Sequence, residues 1–254
     1  AMTALGYAYN SGRGVEQDSE KAAELFQKAV DSGDIGAMTA LGYAYNTGRG
    51  VQQDYEMAAE LFKKAVDGGD IGAMTALGYA YNSGRGVEQD YEKAAELFQK
   101  AVDGGDIGAM TALGYAYNSG RGVEQDRTKA AELFQRAADE GNVGAMTALA
   151  YAYKSGRGVK ANLEKARTFA SAASQNFSTD GMLAQRAVDP NGFVEFVQSR
   201  LTEKGYFTSR KTGTMNRSTI IAVSKLCSDL GISDDCKLGP LSERAIRAYG
   251  PNLR

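Results

Sequence analysis

Three residue types recur at a spacing that lets them act together. Thr39, Tyr43 and Asn46 stand at i, i+4 and i+7, so on a helix they project from one face. The set returns as Thr75, Tyr79 and Asn82 and as Thr111, Tyr115 and Asn118; Thr3, Tyr7 and Asn10 precede it, and Thr147, Tyr151 and Lys154 close the series. Tyrosine offers large contact area at low entropic cost and a hydroxyl for hydrogen bonding, which suits recognition of a protein or a glycan. A second reading stands beside that one: the tyrosines border an apolar stripe and simply pack between successive helices.

Catalysis has little to draw on. The chain contains no histidine, which removes the commonest general base and the commonest metal ligand together. No nucleophile and base stand out as a pair, so the sequence predicts a non-enzyme with no cofactor and no metal. The Gly-Arg-Gly-Val turns carry G-x-G without a third glycine and join helix to helix, which argues against nucleotide binding. Their arginines, Arg13, Arg49, Arg85, Arg121 and Arg157, either read an acidic partner or, more simply, are solvated or bond a nearby carbonyl. Net charge is -2, acidic up to residue 180 and basic beyond it, and neither part has the excess of a nucleic-acid binder. No apolar run approaches the ~20 residues that span a bilayer.

The elements that must position these residues come from an internal repeat. Its register returns without a gap at Ala1, Ala37, Ala73, Ala109 and Ala145. Copies two and three differ only at Thr47/Ser83, Gln52/Glu88, Met57/Lys93 and Lys63/Gln99, which means recent duplication or consensus engineering. Each copy reads as two helices. The second starts after Asp18, Asp54, Asp90, Asp126 or Asn162, all good N-caps. In copy one its apolar residues Ala22, Leu25, Phe26, Ala29 and Val30 form one stripe, and in later copies Glu60 with Lys64 and Glu96 with Lys100 stand on the solvated face. The first helix of copy two is predicted over roughly Ile35 to Asn46, with Ala37, Leu41, Ala44 and Tyr45 as its apolar face. A glycine in mid-helix costs about 1 kcal/mol against alanine, so Gly6, Gly42, Gly78 and Gly114 imply a helix in close approach; Ala150 takes that place in copy five. One hairpin cannot bury its own stripe, so the copies are expected to stack as a right-handed all-α solenoid with a binding surface along it.

Ala-Met-x-x-Leu-Gly-x-x-Tyr, Gly-x-Gly-Val-x-x-Asp and Lys-Ala-Ala-x-x-Phe-x-Lys-Ala together resemble Sel1-like repeats, cousins of the tetratricopeptide repeat, over residues 1–177. Leu25-Phe26 stands where that family often carries a Trp-Tyr or Trp-Phe pair. The resemblance implies a scaffold for protein complexes, common in bacterial envelope or signalling proteins.

The period ends after Phe177. Residues 178–190 read as a linker around a short helical stretch, and residues 191–254 as a small domain with helices over Val194–Lys204, Ser218–Leu230 and Ser242–Tyr249. Val197-Gln198, Leu201, Gly205-Tyr206, Thr219, Ala222-Val223, Gly239-Pro240 and Ala245-Ile246 resemble a peptidoglycan-binding-like three-helix domain. Thr212-Gly213 replaces that family's Asp-Gly turn and Leu226-Cys227 its Phe-Gln pair. Tyr206, Arg217 and Thr219 are the candidate glycan contacts. Cys227 and Cys236 both lie in this domain; either they bridge, placing the chain in an oxidising compartment, or they stay unpaired.

The expectation is therefore a non-catalytic, periplasmic protein-interaction scaffold with possible peptidoglycan docking, part of a longer chain whose start precedes Ala1. Its partner would lie along Thr39, Tyr43, Asn46, Thr75, Tyr79, Asn82, Thr111, Tyr115, Asn118 and Tyr151, with no nucleic acid and no membrane span. The architecture resembles the periplasmic end of bacterial polar organelle development proteins. The alternative is a regulatory or targeting tail of a larger enzyme.

Overall fold

An aspartate or asparagine side chain caps the start of helix after helix in the repeats. Asp18, Asp54, Asp90 and Asn162 accept from the backbone N–H three residues on, at the starts of the second helices. Asp34, Asp70, Asp106 and Asn142 do the same for the first helices. Each cap satisfies a donor that the helix cannot, about 1 kcal/mol apiece. The computed structural model describes residues 1–176, 178–236 and 242–253. Phe177, the expected end of the repeats, and Gly239-Pro240, expected before the last helix, lie outside the described residues. The chain parts into two compact units, Ala1–Asp126 and Arg127–Arg254, and the described residues contain helices and no strand.

The first unit holds α1 (Met2–Ser11), α2 (Ser19–Asp31), α3 (Ile35–Thr47), α4 (Tyr55–Asp67), α5 (Ile71–Ser83), α6 (Tyr91–Asp103) and α7 (Ile107–Ser119). Hairpins α1–α2, α3–α4 and α5–α6 pack one after another, and α7 follows α6. Ala58, Ala59, Phe62 and Ala65 of α4 meet Ala73, Ala76 and Leu77 of α5 in one core, so each hairpin buries its stripe against the next copy. The expected close approach at Gly42 is that of Phe62, whose ring lies over the glycine. Gly86, at φ +70°, meets a second demand: a side chain there would run into the Tyr55 carbonyl at the start of α4. The Gly-x-Gly turn thus joins neighbouring copies by backbone approach.

The second unit holds α8 (Arg127–Asp139), α9 (Val143–Ser155), α10 (Leu163–Gln175), α11 (Thr179–Val188), α12 (Pro190–Glu203), α13 (Arg217–Asp229), α14 (Ser233–Cys236) and α15 (Glu243–Tyr249), then a 3-10 turn, Gly250–Leu253. The short helical stretch expected within residues 178–190 is α11, which packs on α9, α10 and α12. Its Ala184 and Val188 join Ala150, Ala166 and Ala170 of the fifth copy, while its Met182 enters the core of Phe193, Val197, Leu201, Val223 and Ile246. Both faces of this short helix are occupied.

Candidate functional site

In the first unit the phenols of Tyr7, Tyr43 and Tyr79 sit on the first helices, 45–49% exposed. Each is held from behind by a phenylalanine of the second helix: Tyr7 on Phe26 and Tyr43 on Phe62 at 5.2 Å between centroids, Tyr79 on Phe98 at 5.1 Å, all edge to face. The packing expected of these tyrosines is therefore seen on one side of each ring. One side of the ring packs and the other is free, and the three hydroxyls make no hydrogen bond to another described residue. A rigid aromatic with an open face and an open hydroxyl is what recognition uses.

The threonines do not share that surface. Thr39, Thr75, Thr111 and Thr147 are 8–9% exposed, and at Thr39 the backbone of the next copy comes close at Gly72. Thr75 and Thr111 turn their hydroxyls back to the carbonyls of Ile71 and Ile107, while Thr39 and Thr147 have buried hydroxyls without a partner among the described residues. The expected threonine row is thus a seam between copies. Asn46 and Asn82 are half-buried and Asn118 is exposed. Their backbone carbonyls accept from Gln53, Gln89 and Gln125, which leaves the side-chain amides open.

Sequence reasoning missed the carboxylates bordering this face. Thr3 donates to Asp34 at 2.8 Å, which places that carboxylate one helical turn from Tyr7. Burial raises the Tyr7, Tyr43 and Tyr79 hydroxyls above their ordinary value, reinforced by Asp70 and Asp34 at Tyr7, by Asp106 and Asp70 at Tyr43, and by Asp106 at Tyr79. The signal was available in the aspartate that precedes Ile-Gly-Ala at Asp34, Asp70 and Asp106. Its carboxylate does two tasks, since one oxygen caps the helix and the charge reaches the neighbouring phenol.

The repeated arginines settle differently. Arg85 and Arg121 lie over the rings of Tyr55 and Tyr91, at 5.5 and 5.6 Å. Ser19 holds the matching place for Arg49, which has neither ring nor ion pair among the described residues. The Glu60–Lys64 and Glu96–Lys100 pairs form no ion pair among the described residues.

In the second unit Tyr151 keeps an exposed face, with its hydroxyl raised by burial and then by Asp180, against an opposing influence from Arg186. Lys154 donates to the Ala187 carbonyl at 2.8 Å, so the residue that breaks the asparagine row holds α11 in place.

Tyr206, Arg217 and Thr219 do not converge on an open site. Thr219 is fully buried: its hydroxyl accepts from Gln198 Nε2 at 2.7 Å, while Gln198 Oε1 accepts from the backbone of Thr212 and Gly213. This internal network pins the loop before α13, which removes Thr219 from any glycan contact. Tyr206 is half-buried, with Lys225 5.8 Å from its ring centroid and its hydroxyl raised by a hydrogen bond to Asp229. Arg217 is exposed. Cys227 and Cys236 are joined as a disulfide between α13 and α14.

Among the described residues no group of three or more acidic or cysteine side chains is arranged to hold a metal. No helix there is long and apolar enough to cross a membrane.

The Sel1 repeat family model matches residues 1–34, 35–70, 71–106, 107–142 and 143–176. No curated protein matches. Among solved structures, a Sel1 repeat protein from Oxalobacter formigenes is 26% identical, covering 74% of each chain with a TM-score of 0.69. A protective antigen from uropathogenic Escherichia coli strains, displaying an SLR fold, is 25% identical, again with a TM-score of 0.69. That match takes in 98% of this chain, which spans 60% of the antigen's length. An immunity protein from Pseudomonas aeruginosa, 20% identical with a TM-score of 0.52 over 100% of this chain and 83% of its own, shares the fold.

Proposed function

The chain belongs to the Sel1 repeat family, and from that premise we propose that it is a binding scaffold whose docking surface is the tyrosine face of α1, α3 and α5. Sel1 repeats are protein-interaction modules and are typically non-catalytic. The observation that carries the assignment to this face is the row of Tyr7, Tyr43 and Tyr79, each clamped on a phenylalanine and each open on its other side. A phenol held this way loses little entropy on binding, which favours its use as an anchor.

An oxidising compartment, the periplasm of a bacterial envelope, is part of the same proposal. The Cys227–Cys236 bridge supports it, since such bonds persist outside reducing cytoplasm. Peptidoglycan docking by the C-terminal helices would rest on Arg217 and Tyr206 without Thr219. Co-sedimentation with sacculi that Arg217→Ala abolishes is the result needed to keep it.

The docking surface is tested by comparing the whole chain with a Tyr43→Ser, Tyr79→Ser variant as baits for envelope extract. Proteins held by the first and released by the second are expected. Identical capture by both, with the variant folded by circular dichroism, removes this face from the function.

A further inference from the structure

Cations of the chain itself lie over other tyrosines of the repeats. Lys21 lies 4.4 Å from the ring centroid of Tyr9, Lys93 5.5 Å from that of Tyr81, and Arg85 and Arg121 cover Tyr55 and Tyr91. Tyr7, Tyr43 and Tyr79 differ. Among the described residues no cation lies over their rings, and the charges that act on their hydroxyls are the carboxylates of Asp34, Asp70 and Asp106. An aromatic face beside a carboxylate attracts a cation twice, through the ring quadrupole and through the charge.

The Thr3–Asp34 hydrogen bond at 2.8 Å fixes one of these carboxylates beside the face, and a pocket opens between the first two copies. Its lining includes Tyr7, Phe26, Thr39, Tyr43 and one charged residue, Arg49. The Thr39 hydroxyl within that lining is more than nine-tenths buried and unpartnered, where the matching Thr3 has a carboxylate to donate to. An unmet polar group in a pocket wall is costly unless a ligand or neighbour completes it.

We propose that the face formed by Tyr7, Tyr43 and Tyr79 and bordered by Asp34, Asp70 and Asp106 receives a cationic segment of a partner protein, whose lysine or arginine side chains lie on the open phenol rings. The inference rests on the reading of this face as the docking surface and adds the chemistry of what docks. Near-identical copies present the same cation seat again and again, so a segment with recurrent basic residues gains from each. An acidic segment would instead meet the carboxylates beside the face, with Arg49 the one charged residue of the pocket lining in its favour.

The test uses two short fluorescein-labelled peptides, one alternating arginine with serine and one alternating glutamate with serine. Each is titrated by anisotropy against the whole chain and against an Asp70→Asn, Asp106→Asn variant. Asparagine keeps the cap, as Asn142 does by accepting from the Ala145 N–H at 2.9 Å, so the variant loses charge and keeps its helices. The arginine peptide is expected to bind, to weaken about fivefold in the variant as exposed charge pairs do, and to weaken further with added salt. Tighter binding of the glutamate peptide, still lost with Tyr43→Ser, overturns the cationic partner and leaves the docking face standing. Arginine-peptide binding indifferent to the two asparagines, or no binding of either peptide, also overturns it; the face itself is then judged by the bait comparison alone.

Discussion

A β-carbon built on Gly42 would stand 2.6 Å from Cε1 of Phe62, and the same relationship joins Gly6 to Phe26 and Gly78 to Phe98. The phenylalanine ring fills the space the glycine leaves, and that ring in turn supports the exposed tyrosine one residue further along the first helix. Copy five changes both partners together: Ala150 replaces the glycine, Ala170 replaces the phenylalanine, and both are fully buried. Packing between the two helices of a copy is therefore set by the pair, and the docking surface inherits its geometry from that pair.

Gly42→Ala is accordingly expected to destabilise despite alanine's better helix propensity. Overpacking costs about 1–3 kcal/mol, against a propensity gain of about 1 kcal/mol. With Phe62→Ala in place the same substitution should become neutral or stabilising, because copy five shows the alanine pair to be compatible. Urea unfolding of the four chains of the double-mutant cycle measures this; an equal effect in both backgrounds would falsify the pairing.

Much of this was legible in the sequence because the repeat states it five times. The N-caps at Asp18, Asp54 and Asp90, the close approach at Gly42 and the shared face of the tyrosines all follow from residue type and spacing. The burial of Thr39 did not follow. A threonine one turn before an exposed tyrosine reads as part of the same polar row, and only the next copy's packing covers it. Thr219 failed as a glycan contact for a similar reason: its partner Gln198 is 21 residues away, and no local pattern announces a buried hydrogen-bond network. The turn residues of 178–190 announced a short helix between them, but not the contacts that α11 makes with elements on either side of it in the chain.

Thr39→Val should stabilise the protein by about 1 kcal/mol, since it removes a buried hydroxyl that has no partner among the described residues and keeps the shape. Thr3→Val should act in the opposite direction, because the Thr3 hydroxyl donates to Asp34. Thermal melts of the two variants suffice, and a loss of stability on Thr39→Val would show that its hydroxyl is satisfied in solution.

High pH should lower the protein's stability through the tyrosine face. Tyr7, Tyr43 and Tyr79 titrate above their ordinary 10.0 when folded, so from about pH 10 upward the unfolded chain gives up protons that the folded chain retains. Stability then falls as pH rises, and the full contribution is present below pH 10. Absorbance titration of tyrosinate should show a late-ionising group of tyrosines that shrinks on Tyr43→Phe. The Asp70→Asn, Asp106→Asn variant should bring the rest of that group to lower pH, since those carboxylates oppose ionisation. A single ordinary titration of every tyrosine would contradict the geometry.

Reducing the Cys227–Cys236 bridge should loosen the C-terminal helices and leave α1–α7 unchanged. Cys227 is buried beside Val223, Leu226 and Ile246 in a core built from short helices, and a core of that size has little stability to spare. Closing a loop of this length contributes about 2–3 kcal/mol on the chain-entropy account. Hydrogen exchange with and without reductant locates the effect: faster exchange in α12, α13 and α15 is expected, with no change in the first unit, whose helices share no residue with that core. If the reduced chain exchanged like the oxidised one throughout, the bridge would be dispensable for folding, and the oxidising compartment would lose its structural rationale. Selective loosening would make the C-terminal core a part of the chain whose stability depends on where the protein resides.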